Sequence, residues 1–351
     1  MHTSPPAIAV VIVSFNTRAL LADCLRSLQR CALPLRVVVV DNASSDGSAA
    51  MVREQFPAVT LLEPGENLGF AGGNNYALRA LFSDKETRRQ GDKETVSADR
   101  PGLTEPLPVS QSRGSQSPSL ASPRYVLLLN SDTVVQPGAI EALAAFLDEH
   151  PRVGMAGPRL LNPDGSVQPA AFRFPTLAME LLDLFPPGEA LPGRLYGSWW
   201  HGRYPQERAE PAAPFPVDHP LGACMLVRTQ ALAEAGVFDE GFFMYSEEVD
   251  LCWRIRAAGW AIWQVPDARV LHYGGASTSQ FRQRMFVELY RSRARFAELH
   301  RGPAFRLARR LIVRAGALRL SLLAWRDYVR GRLPRDELRA RLLAYGHVFR
   351  L

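Results

Sequence analysis

Cysteine is scarce in this chain. Cys24, Cys31, Cys224 and Cys252 are the four among 351 residues, and none stands in a Cys-x-x-Cys or metal-finger spacing. That excludes a disulfide framework and a cysteine-built zinc site, and it fits a reducing, cytoplasmic setting. Long uncharged apolar runs are missing too: no span of about 18 residues is free of charge, so no transmembrane helix is expected. The opening stretch MHTSPPAIAVVIVSFN has no basic segment ahead of its apolar run and no small-residue cleavage site. It reads as a first strand rather than a signal peptide. Lysine is nearly absent, with Lys85 and Lys93 the only two among 41 basic side chains.

What is present bounds the fold. A hydrophobic content of 47% excludes disorder throughout, and the length allows one large core or two modest ones. The net charge of +6 hides an asymmetry: residues 282–351 carry 18 Arg against 5 acids, a net of +13, and the rest of the chain is net −7. The basic character therefore belongs to the tail, away from the acidic motifs.

IAVVIVSFN (8–16) and LRVVVVDNAS (35–44) are β-branched apolar runs ending in polar residues, with the helical pattern LLADCLRSLQRC between them. This is a βαβ beginning of an α/β fold, and parallel strands deliver their polar ends to one sheet edge. YVLLLNSD (125–132) is a further strand-length run ending in Asn130 and Asp132. Ligands of open α/β sheets bind outside the strand C-termini, so Asn16, Asp41 and Asn42 are expected to face the same crevice as Asn130 and Asp132. Residues 83–124 lose all apolar periodicity and hold both lysines, and read as a disordered surface insertion between a helix near 74–82 and the strand at 125–131. Lengthening a short loop by that much costs roughly 2 kcal/mol of closure entropy. Residues 172–216, rich in Pro, Gly and aromatics, read as an irregular excursion over the sheet, either an acceptor-side flap or a loop packed on the core. Two regions are expected: 1–280, carrying the acidic motifs, and 281–351, a set of basic amphipathic helices.

Several clusters could carry chemistry. Glu66 to Asn75, ENLGFAGGNN, places glycines and amides ahead of a helix, where backbone N–H groups can meet an anion, although it matches neither GxGxxG nor a P-loop. Asp132 at a strand end could hold Mg2+ or Mn2+ through oxygen, with Asn130 offering a carbonyl to the ion or a hydrogen bond to a ribose; the plain alternative is an Asn-Ser-Asp helix cap. Glu247 and Glu248 open a helix behind Phe242-Phe243-Met244-Tyr245-Ser246, surroundings that desolvate a carboxylate and raise its pKa toward that of a general base. Asp250 is accounted for as an ion pair with Arg254. His272 ends another apolar run, either as a structural histidine or as a further metal ligand beside Asp132.

Taken in order, VVIVSFN, VDNASSDGS, ENLGFAGGNN, LLLNSDT, AGVFDEGFFMYSEEVDLCWR and LHYGGAS resemble family-2 glycosyltransferases, nearest to the rhamnosyltransferase-like branch that builds cell-surface polysaccharides. The resemblance spans about residues 8–280 apart from the insertion. It implies a GT-A fold, a Rossmann-like, mostly parallel sheet flanked by helices, here with a C-terminal helical extension, and inverting chemistry on a nucleotide-diphosphate sugar. By motif position, Asp41 would recognise the base of a UDP- or dTDP-sugar with Phe15 and Asn16 lining that pocket. Asn67, Gly69, Gly72 and Asn74 would lie along the ribose and diphosphate. Asn130-Ser131-Asp132 occupies the DxD position, so Asp132 would hold the cation while Asn130 replaces the first aspartate, and His272 falls where some relatives place a metal ligand. Glu248 falls on the catalytic base, one methylene longer than the family's aspartate, with Glu247 the alternative. The acceptor would be a glycan or lipid-linked hydroxyl.

Two other classes are weighed against this. A sugar nucleotidyltransferase needs a glycine-rich loop with a basic residue after the first strand, where this chain reads Ser14-Phe15-Asn16-Thr17-Arg18. A non-catalytic sugar-binding module does not need Asp132, Glu248 and His272 together. The basic tail either lies on an anionic membrane surface, at the inner face of the plasma membrane, or packs on the domain and shows its arginines to water. Nucleic acid is not expected, because no aromatic-basic recognition motif accompanies the charge.

Overall fold

The structure, a computed structural model, describes residues 8–94, 123–186, 198–204, 213–274 and 282–351, with the backbone alone for 83–94. Its centre is a mixed sheet. β1 (Ile8–Ser14) lies between β2 (Leu35–Asp41) and β4 (Tyr125–Asn130), parallel to both, and β3 (Thr60–Leu62) extends the row beyond β2. On the other side of β4 follow β11 (Cys224–Arg228), β6 (Val153–Leu161), β12 (Ala261–His272) and the short β5 (Thr133–Val135). β11 runs antiparallel to both its neighbours, which restores β6 and β12 to the direction of β1.

The central strands are apolar without interruption because both faces are covered. Ile8, Val10 and Ile12 turn to one core with Leu127 and Leu129, under α1 (Arg18–Leu28), α2 (Ser48–Gln55) and α4 (Ala139–Glu149). Ala9, Val11, Val126 and Leu128 turn to the other, under α3 (Gly69–Glu94), α6 (Thr229–Ala235) and α7 (Glu247–Ala257). The period-2 alternation of strand side chains thus feeds two cores at once.

Register fixes the working edge. Ser14 pairs with Asp41 and Val13 with Asn130, so the polar ends of three parallel strands stop at one level. β12 brings His272 to the same edge, where His272 pairs with Thr133 and the Tyr273 N–H donates to the Asp132 carbonyl at 3.0 Å.

The structure corrects several boundaries. β1 and β2 stop at Ser14 and Asp41, ahead of the expected ends, because the next residues turn: Asn16 and Ala43 sit at φ of 52° and 62°. α3 continues to Glu94, so the start of the expected insertion is helical; residues 95–122 lie outside the described residues. The excursion at 172–216 is not wholly irregular, since it contains α5 (Leu177–Leu184), whose first turn is capped by Thr176 accepting from the Met179 N–H. Residues 187–197 and 205–212 of it lie outside the described residues.

The tail forms α8 (Arg282–His300), α9 (Pro303–Val329) and α10 (Arg335–Arg350). They pack on one another and on α5, with Leu184, Tyr290, Val313, Ala317 and Val348 in a small separate core. Charge fixes the docking. Buried Arg309 donates to Glu180 at 3.1 Å and to the Tyr290 carbonyl at 3.1 Å, and Arg293 pairs with Asp183 at 2.8 Å.

Candidate active site

A cavity of about 310 Å³ opens at the sheet edge, between the ends of β1, β4 and β12 and the start of α7. Its lining brings together Phe15, Asn67, Gly69, Asn130, Asp132, Glu247, Glu248 and His272, residues up to 257 positions apart in the chain. Asp41, Asn16, Gly72 and Asn74 do not reach it.

Asp132 and His272 face each other with Oδ1 and Nε2 3.4 Å apart, both nearly buried. Gln168 sets the tautomer. Gln168 donates its amide N–H to Asn162 Oδ1 at 2.9 Å, which leaves its Oε1 to accept from His272 Nδ1 at 2.7 Å. With Nδ1 as donor, Nε2 of the neutral ring turns a lone pair toward the carboxylate. Two acceptors aimed at each other suit a shared divalent cation, and a ligand histidine anchored through its other nitrogen is the usual arrangement. The pair would supply two protein ligands; among the described residues no group of three His, Cys, Asp or Glu surrounds one point. Such a pair fits an ion that draws its remaining ligands from substrate phosphates and water.

Glu247 and Glu248 open α7 after Tyr245 and Ser246, both held at positive φ, 70° and 63°. Two consecutive non-glycine residues in the left-handed region are strained, and such strain concentrates at sites where a side chain must be aimed. The segment is clamped by Phe70 N–H on the Phe243 carbonyl at 3.0 Å and by Ser292 Oγ on the Met244 carbonyl at 2.7 Å. Glu247 is buried, and its Oε2 has no partner among the described residues. Burial drives its pKa well above the ordinary range, and the neighbouring Glu248 charge adds to the effect. Burial also raises Glu248, opposed by the backbone N–H groups of Glu248 and Val249. Glu248 is the more open of the two and faces the cavity across Gly222, where an added Cβ would press on its Cγ at 3.3 Å. The inner glutamate keeps a proton more readily and the outer one is placed to take one. Asp250 lies behind them, bound to Arg254 as the spacing predicts and also to His300 of α8, Nε2 to Oδ1 2.7 Å.

Asp41 is buried at the end of β2. Its Oδ2 accepts the Ser44 N–H at 3.0 Å, but Oδ1 has no partner among the described residues. Leaving such an oxygen unpaired costs about 1–3 kcal/mol. Asn16 is committed to the fold: its Oδ1 accepts the Ser45 N–H at 2.8 Å and its own N–H donates to Ser44 Oγ at 3.0 Å. The glycine-amide segment is largely a clasp. Gly69 sits at φ of 71°, and a Cβ there would lie 2.3 Å from the Phe243 carbonyl oxygen. Asn74 bonds back to the Phe70 carbonyl at 2.9 Å, and Gly72 packs against Leu68. Asn67 accepts the Gly69 N–H at 2.9 Å while also lining the cavity.

Sequence reasoning missed three contributors. Gln168 has no motif around it. Gly222 belongs to a short stretch whose role depends on what faces it. Arg284, from α8, lines the cavity with its guanidinium 5.1 Å from the centre of the Phe243 ring, and among the described residues it pairs with no acid. Its signal was diluted by the 18 arginines of the tail.

Comparison with known proteins agrees with this geometry. The chain matches the family described as glycosyltransferase like family 2 over residues 5–291. It is 33% identical over 276 residues to the N-acetylglucosaminyl-diphospho-decaprenol L-rhamnosyltransferase of Mycobacterium tuberculosis, covering 77% of each chain. It is 24% identical over 279 residues to a low-salt glycan biosynthesis hexosyltransferase of Haloferax volcanii, covering 78% of this chain and 69% of that one. Among solved structures, a mannosyltransferase of Pyrobaculum calidifontis, in complex with GDP-Man and Mn2+, shares the fold with a TM-score of 0.52 at 16% identity, over 99% of this chain and 88% of that one. The sheet, its flanking helices and the family match together show a GT-A glycosyltransferase carrying C-terminal helices, and the chain belongs to glycosyltransferase family 2.

Proposed function

We propose that this enzyme transfers a sugar, with inversion, from a dTDP- or UDP-sugar to a hydroxyl of a lipid-linked glycan acceptor in cell-surface polysaccharide synthesis, with rhamnose the favoured sugar. The observation that carries the chemistry is Glu248 at the start of α7, lining the same cavity as the Asp132–His272 pair. The relative from Mycobacterium tuberculosis, whose name gives L-rhamnose as the transferred sugar and a diphospho-lipid as acceptor, supports the choice of substrate class.

In the transfer, Glu248 takes the proton of the acceptor hydroxyl as its oxygen attacks the anomeric carbon. The bond from that carbon to the diphosphate breaks on the opposite face, and the nucleoside diphosphate leaves with the electron pair. Asp132 and His272 would hold Mg2+ or Mn2+, which when bound supplies counter-charge to the leaving diphosphate. Arg284 adds a fixed positive charge to the same cavity. Asp41, which stands outside the cavity lining at the end of β2, would accept the imide N–H of a uracil or thymine base through its Oδ1, with Phe15 lining the base pocket, while Asn67, Gly69 and Asn130 line the path toward the phosphates. Asn16, Gly72 and Asn74 serve by holding the loops. Residues 1–280 would form the catalytic unit and 281–351 an accessory helical region. Among the described residues no helix is long and apolar enough to cross a membrane, and we place the enzyme in the cytoplasm, in peripheral contact with the inner face of the membrane through its basic tail.

The test is a screen of purified protein against dTDP-, UDP- and GDP-sugars, with Mn2+ or Mg2+ and a short-chain N-acetylglucosaminyl-diphospho-lipid. Product from a dTDP- or UDP-sugar is expected; product from GDP-sugars alone would reject the assignment of Asp41. A nucleotidyltransferase would instead release pyrophosphate from a nucleoside triphosphate and a sugar phosphate, which the same assay can measure.

A further inference from the structure

Helix α9 is built inside out. At 27 residues it is about 40 Å long. Its buried face is made of small or branched side chains, Val313, Gly316, Ala317 and Ala324, with Arg309 held by Glu180. Gly316 lets the helix sit directly on Leu184, whose side-chain carbons would lie 2.7–2.8 Å from a Cβ there. The large apolar side chains point the other way. Leu307, Leu311, Leu318, Leu322, Trp325 and Val329 are each between 55% and 68% exposed. Their spacings of three, four and seven put all six on one line of the helix.

Scattered exposed leucines need no explanation, but a continuous line of six along one helix does. The charge around it says what covers it. At 100° per residue, Arg306, Arg310 and Arg314 follow one border of the stripe, and Arg326 and Arg330 the other. Asp327, the only acid in the helix, falls on the far side but pairs with Arg326 at 3.0 Å, and Arg310 lies 4.0 Å from Glu298 of α8; both are exposed pairs that leave the borders net positive. Arg314 also lies 5.7 Å from the centre of the Phe349 ring, so this 45% exposed aromatic of α10 extends the apolar patch. A second copy of the chain docked on the stripe would set these arginines against their own kind. An anionic bilayer surface meets both demands, with acyl chains for the leucines and phosphate headgroups for the arginines.

We propose that the outer face of α9 is a membrane-docking surface, lying in the plane of an anionic phospholipid leaflet with Leu307 to Val329 set into the headgroup boundary. The proposal deepens the lipid-linked acceptor reading and rests on it for its purpose. The preceding helix, α8, supplies Arg284 and Met285 to the cavity wall, so the element that docks is joined by a single turn to the element that walls the site.

The test uses the full chain and vesicles of phosphatidylglycerol mixed with phosphatidylcholine, against vesicles of phosphatidylcholine alone. Wild type is expected to sediment with the anionic vesicles and to be released by salt. The Leu318→Asp/Leu322→Asp variant, altered only on exposed positions, is expected to lose about a hundredfold in vesicle affinity. The Arg306→Gln/Arg310→Gln variant should lose about tenfold, and only on the anionic vesicles. Both should keep the wild-type Tm and the wild-type rate on a water-soluble short-chain acceptor. Vesicle binding unchanged in the leucine variant overturns the proposal. So does wild type that stays in solution, or a dimer of wild type that the same variant dissolves. If neither protein transfers sugar but the vesicle result holds, the reading of the activity fails and the docking surface stands.

Discussion

The cavity and the outer face of α9 are opposite departures from the rules of a folded surface. Glu247 Oε2 in the cavity, and Asp41 Oδ1 at the sheet edge beside it, are buried with no partner among the described residues. Along α9, apolar side chains are exposed without cover. The first costs the isolated chain stability and the second leaves apolar surface in water, and each would be relieved by something the chain binds. Unpaired polar atoms in a cavity indicate a small polar ligand, and an uncovered apolar line edged with arginine indicates an extended, anionic, partly apolar surface. The two regions meet at α8, which reaches into the first with Arg284 and leads directly into the second.

Breaking the polar side should have the larger effects. Asp132→Asn removes a carboxylate of the proposed cation site and is expected to lower transfer by more than about a hundredfold at saturating donor, with part of the loss recovered at high Mn2+; an unchanged metal dependence would separate Asp132 from the ion. Gln168→Leu leaves every ligand in place but frees the His272 ring to rotate or change tautomer, and should weaken apparent metal affinity by about 10–100-fold. Asp41→Asn keeps the size and changes an acceptor into a group that can also donate, so the Kd for dTDP or UDP should rise by roughly tenfold while kcat moves little.

The smallest effect is a gain in stability. Glu247 holds its proton more tightly folded than unfolded, since burial and Glu248 raise its pKa. Its contribution to stability is therefore full below the unfolded value of about 4.3 and lost as pH rises through the folded value. Glu247→Gln removes that loss. At neutral pH the variant should melt roughly 2–4 °C higher than wild type, for about 1 kcal/mol, and the difference should vanish below about pH 4. A lower Tm at neutral pH would mean that Glu247 is stabilised by its surroundings and that the cavity does not store this strain.

How much of this was legible in the sequence follows from how local each feature is. β1, β2 and β4 were readable because strands covered on both faces are continuously apolar, and acids at their ends stand out against such runs. Asp132 and His272 stood out for the same reason, and the two glutamates because they open a helix directly behind Phe242-Phe243-Met244-Tyr245-Ser246. β11 was not anticipated: CMLVR is five residues long, and nothing local marks it as an antiparallel strand in the middle of the sheet. Asn16 reads as a pocket residue because it ends a strand, yet its left-handed backbone and its bond to Ser45 come from a loop 29 positions away. The glycines at 69 and 72 read as ligand-facing, whereas Gly69 is required mainly by the approach of Phe243. The tail read as amphipathic, but with apolar residues on two sides of α9 the sequence did not show that the small ones pack and the large ones stay outside.

Glu248 is the group proposed to take the acceptor proton. The direct measurement is the rate of sugar transfer by Glu248→Gln, beside its Kd for the nucleoside diphosphate and the pH profile of wild type. A loss of about 10²–10⁴-fold in kcat with unchanged Kd is expected, along with a wild-type rate that climbs with pH through a value above the ordinary glutamate range, as burial of the pair requires. Full transfer by Glu248→Gln, with the activity lost instead in Glu247→Gln, would contradict it.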